Sequence, residues 1–301
     1  MTDISLRHAD FTDVVEPEVE VERPGYWSGV GQRLRHDPVT IVCIAILIVM
    51  LLTMILAPLI APYDVLQGSM VRRLKPVGFP GHLLGTDELG RDMLTRLLYG
   101  GRLSWLVGIT PVVIATIIGG ALGTAAGYAG GRVNMLIMRT TDVFYAFPSV
   151  LLAVAISGAL GPGITNAVMA LTIVFIPPMI RVSESVTTSV RALEFVDAAC
   201  ASGAGALRVV RVHVLPNVLG PILVYATSLI SIGIILAAGL SFLGLGVTPP
   251  NAEWGLMLNN LRQALWVDPV IAALPGVMIF ITSMCFNLLS DGLRQAMDVR
   301  L

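Results

Sequence analysis

Glu194–Pro221, EFVDAACASGAGALRVVRVHVLPNVLGP, interrupts two long apolar runs and decides how the rest of the chain is read. Ala198, Ala199, Ala201 and Ala204 offer a surface of small side chains. Gly203 and Gly205 then break the helical pattern and allow a turn that side chains would forbid. Beyond them Leu207, Val210 and Val214 recur at i, i+3 and i+7, with Arg208 and Arg211 on another face, which predicts a second short helix ending at Pro216. Helix, glycine turn and helix describe a bracket standing off a membrane, with an alanine face open to another protein's backbone. An ordinary loop between spans is the plainer reading of the same residues.

Composition supplies the membrane. Hydrophobic residues make up 55% of 301 positions and charged residues 13%, where a soluble chain carries about 25% charged; mean hydropathy is +0.82. Charge-free windows run over 38–63, 103–131, 143–180, 212–252 and 269–290. A helix needs about 20 residues to cross the hydrocarbon. Gly158 and Gly161-Pro162-Gly163 divide the 143–180 window in two, and the 212–252 window holds a long helix plus a loop or re-entrant segment. The expected fold is therefore all-α, with six transmembrane helices near 39–61, 104–128, 134–158, 164–187, 217–243 and 269–291. With the amino terminus inside, inner segments hold twelve basic residues and outer segments seven, the sense the positive-inside rule requires. An even number of spans puts both termini and the bracket on one side.

Several chemistries are excluded by what is missing. Cys43, Cys200 and Cys285 lack metal-ligand spacing, and His8, His36, His82 and His213 are scattered, so no metal site is expected. No histidine falls inside an expected span, which argues against a membrane-embedded enzyme. The charge-free windows argue against a proton-coupled secondary transporter, which needs ionisable groups at depth. Lys75 is the only lysine and stands outside any glycine-rich phosphate cradle, so the chain cannot hold nucleotide through a Walker A loop.

Taken in order, residues 1–38 begin with an acidic stretch (Asp3, Asp10, Asp13, Glu16, Glu18, Glu20, Glu22) that reads as a flexible tail. Tyr26 and Trp27 then read as an interfacial approach to the first span. No cleavable signal peptide is evident, so the first span stays as an anchor. In the first outer loop, Leu89, Met93, Leu94, Leu97 and Leu98 form an apolar stripe with Arg91, Asp92, Thr95 and Arg96 facing away, which predicts an amphipathic helix capped by Thr86 or Asp87. Gly119, Gly123 and Gly127 lie four apart in span two, a packing face for a neighbouring helix. Span three carries Asp142 one turn past Arg139, an expected ion pair, with Phe144, Tyr145 and Phe147 beyond it. In span four, Pro177-Pro178 removes two backbone donors and must kink or break the helix. Asp142, Phe147, Pro177 and Pro178 are the candidates for a pathway or gate. After span five, Gly239, Gly244 and Gly246 with Pro249-Pro250 permit irregular backbone.

Three stretches resemble one family. Asp197-Ala198-Ala199, Gly203 and Val214-Leu215-Pro216 resemble the EAA loop of bacterial ABC-importer permeases, with Asp197 where Glu is usual and His213 where an aliphatic residue is usual. GTDELGRDMLTRLLYG over 85–100 and the stretch from Ala237 to Gly255 are similar to the dipeptide, oligopeptide and nickel branch, specifically its C-type subunit. The resemblance implies a type I importer permease fold in a prokaryotic plasma (inner) membrane with both termini cytoplasmic. It implies a tail at 1–38, a first helix at 39–61, an outer loop at 62–103, a five-helix core at 104–291 with its coupling loop at 190–216, and a tail at 292–301. It makes Asp197, Ala198, Ala199, Gly203, Ala204, Leu207, Leu215 and Pro216 the contact with an ATPase. The implied partners are a related permease chain, two cytoplasmic ATPases that hold ATP and magnesium, and an extracytoplasmic binding protein. No cofactor is expected in this chain, and no nucleic acid. Peptides are the implied cargo, with nickel chelates or glutathione as alternatives.

Overall fold

The computed structural model describes residues 26–297. The expected acidic tail, the last four residues and the side chains of Tyr26 and Trp27 lie outside what is described. Among the described residues every regular element is a helix, apart from isolated bridges at Phe79–His82 and Thr86–Asp92.

The chain enters through α1 (Tyr26–Leu34) and turns at Asp37, whose carboxylate accepts from Val39 N at 3.1 Å and starts α2 (Pro38–Ile55) with Pro38 in the first turn, where no N–H is needed. Only one stripe of α2 is buried (Cys43, Leu47, Met50, Met54), while Val42, Val49 and Leu52 are exposed, a face suited to hydrocarbon. After α3 (Ala57–Ile60) an irregular segment reaches α4 (Met93–Ala129), capped by Asp92, which accepts from Thr95 N at 2.8 Å. Then follow α5 (Gly131–Tyr145), α6 (Ser149–Leu160), α7 (Ile164–Arg191), α8 (Glu194–Ala201), α9 (Ala206–Val209), α10 (Leu215–Phe242), α11 (Trp254–Leu261) and α12 (Pro269–Met297).

The core is α4 against α7, with α10 packed on both and α12 on α10. Leu171, Phe175 and Met179 of α7 meet Val107 and Val112 of α4 and Ile222 of α10, all buried. The α4–α7 seam is close because of glycine: a Cβ on Gly119 would stand 2.9 Å from Met179 Cβ, one on Gly123 2.6 Å from Ser183 Cβ, and one on Gly127 2.8 Å from Thr187 Cβ. The expected packing role of this glycine row is what the structure shows. Arg33 donates to Ala296 O at 3.1 Å, so the described parts of both ends lie together. Among the described residues five helices are long and apolar enough to cross a membrane, or six when α5 and α6 count as one bent span.

Three expectations need correction. The third span is not one helix over 134–158: α5 and α6 meet at 84° around Phe147-Pro148, where Pro148 stands at the N-cap of α6 and residue 147 before it is steered away from helical backbone. The outer amphipathic helix is not separate and its polar face is not outward. It is the first turns of α4, capped by Asp92 rather than Thr86 or Asp87, and Arg91, Asp92, Thr95 and Arg96 are buried. The second helix of the bracket does not end at Pro216. A π-helical turn (Val210–Val214) carries it into α10, with Pro216 in the opening turn where its missing N–H costs least. Of the kink or break expected at Pro177 and Pro178, the break is not formed: α7 is continuous past both.

Candidate functional site

Two surfaces collect the residues singled out from sequence, one at the end of the bundle where α10 begins and one along the middle of α7 and α10. The first is the bracket. Val196, Val209 and Val214 are buried in the main core and tie α8 and α9 to the helices behind them. Gly203 has φ +80, a left-handed conformation that side chains resist, and it reverses the chain while its N–H and that of Ala204 satisfy the α8 carbonyls of Cys200 (3.0 Å) and Ala199 (3.2 Å). The turn leaves Asp197, Ala198, Gly203, Leu207 and Pro216 exposed and Ala199, Ala204 and Leu215 half-buried. Leu207 is 65% exposed, so the buried residue of that helix is Val209 rather than the Leu207 stripe read from spacing. Glu194 and Asp197 sit in the first turn of α8, where the helix dipole favours negative charge.

The second surface is the break between α5 and α6. Phe144, Tyr145 and Phe147 face Pro177 and Pro178 of α7 and Tyr225 of α10 around a recess of about 270 Å³. Asp142 does not pair with Arg139. It accepts from Arg181 Nη2 at 2.6 Å, and the Arg181 guanidinium lies 4.3 Å from the centre of the Tyr145 ring. The inclination of α5 explains the change of partner: Asn134 reaches Glu184 at 2.5 Å and Asp142 reaches Arg181, so α5 crosses α7 obliquely. Tyr225 also borders a second recess, with Asn217, Pro221 and Arg294, at the end where α10 begins. The structure thus brings Phe147, Pro177 and Pro178 to one recess, with Asp142 joined to its edge through Arg181 and Tyr145. Reading the sequence missed Arg181, Tyr145 and Tyr225 as its partners. A signal was present, since Asp142 and Arg181 are the two charges that bound the 143–180 window.

At the opposite end two polar clusters fix the backbone. Asp87 receives Arg91 Nε at 2.6 Å and lies 3.2 Å from Arg96 Nε, all three nearly fully buried. Glu88 takes the outer face of Arg91 at 2.8 Å, and its carboxyl is raised above its ordinary value by burial and then by the Asp87 charge. Glu253 caps α11, accepting from Gly255 N (2.9 Å), Leu256 N (2.8 Å) and Ser104 Oγ (3.0 Å). Burial raises its carboxyl, and the two backbone amides pull it back. Trp254 Nε1 donates to Leu97 O at 3.0 Å, which locks α11 onto α4. Among the described residues no three His, Cys, Asp or Glu are grouped to hold a metal.

Residues 119–301 match the family model described as "Binding-protein-dependent transport system inner membrane component", and 25–76 match "N-terminal TM domain of oligopeptide transport permease C". The chain is 44% identical to the di/tripeptide transport system permease protein DppC of Pseudomonas aeruginosa, over 80% of this chain and 82% of that protein. It is 37% identical to the glutathione transport system permease protein GsiD of Pectobacterium atrosepticum, over 91% of each. Among solved structures, the inward-facing MetNI methionine ABC transporter aligns with a TM-score of 0.57 at 17% identity, over 68% of this chain and 97% of that one, a likeness of fold.

Proposed function

We propose, from the premise that this chain belongs to the binding-protein-dependent transport system inner membrane components, that it forms half of the translocation pathway of an ATP-driven importer of dipeptides or short oligopeptides. A permease of this family is a multi-pass inner membrane protein and not itself an enzyme, and it works with ATPase partners. The observation that carries the mechanism is the bracket: a small-residue surface exposed at one end of the bundle, yet rooted in the core through Val196, Val209 and Val214. Closure of two ATPases that hold ATP and magnesium pulls on α8 and α9. The π turn transmits the pull into α10, which borders both recesses. A related permease chain supplies the other wall, and an extracytoplasmic binding protein delivers the cargo at the end that carries the 56–92 segment. The names of the relatives point to small peptides; glutathione, itself a tripeptide, is the second reading, from the relative matched over 91% of the chain.

Gly203→Val tests the docking assignment. No atom lies within 4 Å of a Cβ at this position, so the substitution meets no clash within the chain; its costs are the positive φ and the new bulk on the docking face. Strain of roughly 1–3 kcal/mol predicts about a tenfold or greater loss of transport, with the chain still in the membrane and a reduced yield of ATPases on purification. Normal assembly with normal transport would sink the assignment.

Orientation has its own test. Cys200 is the exposed cysteine, whereas Cys43 and Cys285 are buried. With both termini and the bracket in the cytoplasm, an impermeant maleimide should label Cys200 in inverted vesicles stripped of ATPases and leave it untouched in intact cells. Labelling of intact cells would reverse the orientation.

A further inference from the structure

We propose that the Asp142–Arg181 pair is a charge-matched subsite that exchanges partners with the two ionic termini of a peptide in transit, an inference that rests on the peptide-importer reading above. Among the described residues it is the one ion pair outside the 82–96 cluster, and it is built differently from that cluster. Asp87 and its arginines are sealed, and Asp87 has both oxygens engaged by backbone and guanidinium donors. Asp142 and Arg181 are each 47% exposed, and the pair is held by a single hydrogen bond. One Asp142 oxygen and most of the five Arg181 N–H donors therefore have capacity to spare.

An exposed charge facing lipid tails costs several kcal/mol, so the open side of this pair belongs on a polar passage. The aromatic recess beside it, between α5, α7 and α10, gives that passage a wall. Tyr145 holds the guanidinium by its ring face, so Arg181 keeps its place when Asp142 lets go.

A free peptide carries an ammonium and a carboxylate, the complement of this pair. Arg181 can take the carboxylate in its planar fork, and Asp142 can take the ammonium. Two opposite pairs then replace one, no net charge is added to the wall, and neither terminus crosses the narrow part of the pathway uncompensated. The apolar recess is left for a side chain. Tyr225 borders the second recess as well, and Arg294 on its lining, which has no ion-pair partner among the described residues, can receive the carboxylate next.

The test uses the complete complex, permease pair and ATPases, in nanodiscs without binding protein, with the dipeptide Ala-Phe, its N-acetyl form and its C-terminal amide as probes. Binding is read by saturation-transfer NMR titration. In the native complex each blocked form should bind about tenfold more weakly than the free peptide. Asp142→Asn should erase the penalty of N-acetylation and keep that of amidation; Arg181→Gln should do the reverse, and Arg181→Lys should keep a reduced preference for the free carboxylate. A purely structural pair would shift all three probes together in each variant, and that result, or equal binding of the three probes to the native complex, overturns the subsite. Uptake of free Ala-Phe by proteoliposomes supplied with binding protein is measured in parallel. Uptake without discrimination refutes the subsite alone, whereas no peptide uptake by the native system refutes the cargo reading and the subsite with it.

Discussion

Asp87→Ala is expected to unfold the segment between α3 and α4 and to lower the stability of the whole chain by about 3–5 kcal/mol, the cost of breaking a buried pair by removing one partner. The carboxylate serves two arginines at once. Oδ2 receives Arg91 Nε at 2.6 Å and stands 3.2 Å from Arg96 Nε, while Oδ1 accepts the backbone amides of Leu89 (2.9 Å) and Arg91 (2.8 Å). Arg96 is 1% exposed and Arg91 6%, so neither can turn to water when its partner is removed. Glu88 reaches only Arg91, leaving Arg96 with carbonyl contacts to Val65 and Asn251 at 3.4 and 3.3 Å. Asp87→Asn keeps an acceptor for the turn but not the charge, and should fall between Asp87→Ala and the native chain. Glu88→Gln is the control, since glutamine keeps a hydrogen-bonding group towards Arg91 and Arg91 keeps Asp87, so its loss should be the smaller of the two. Thermal unfolding in detergent, with limited proteolysis across 61–92, reads the difference. Equal behaviour of Asp87→Ala and Glu88→Gln would show that the cluster does not hold this segment.

The same cluster shows where sequence reasoning stops. The spans were legible because a bilayer penalises charge so steeply that windows free of Asp, Glu, Lys and Arg outline the helices. The segment between α3 and α4 follows another rule. Arg91, Asp92 and Arg96 look like the wet face of an amphipathic helix, since charge is usually exposed. Here the irregular chain before α4 folds over them, and Leu74 N donates to Asp87 O while Met93 N donates to Gly85 O. Burial of a charge becomes readable only when its partner is known, and Arg96 lies nine residues from Asp87. Asp142 makes the same point across 39 residues. Arg139 is the local choice by helical spacing, but the tilt of α5 that selects Arg181 comes from a break at Pro148 that an unbroken apolar window conceals.

The bracket was more legible because its signal is local. A glycine that must adopt φ +80, alanines before it and a proline after it determine a turn whatever surrounds them. Its second helix was read less well. Proline commonly ends a helix, and nothing in VRVHVLP states that a wider π turn will bring the chain past Pro216 with its hydrogen bonds largely kept. That continuity joins the bracket to Tyr225 through α10, and it came from the structure alone.

Gly123→Val is expected to prevent assembly, because α4 and α7 meet there backbone to backbone. The first carbon added to Gly123 would stand 2.6 Å from Ser183 Cβ and closer still to Ile180 O; the latter is main chain and cannot rotate away. Gly119 and Gly127 meet the carbonyls of Ile176 (2.9 Å) and Glu184 (2.7 Å) in the same manner one turn before and after. Relief requires the helices to separate along the seam, which also carries Leu171, Phe175 and Met179 of the core. Overpacking by one or two methyl groups costs about 1–3 kcal/mol where side chains can adjust; a rigid carbonyl places valine at or above the top of that range. Small residues at helix contacts matter more here than in water, since lipid tails compete equally for apolar surface and close packing supplies the association. Gly120 provides the comparison on the same helix, because a Cβ there meets nothing within 4 Å. Gly120→Ala should leave membrane level and melting temperature near native, Gly123→Ala should lower both, and Gly123→Val should leave little chain to purify with its ATPases. Similar stability for Gly120→Ala and Gly123→Ala would mean that α4 and α7 are not in contact along this face, and the helix order built on that contact would fall with it.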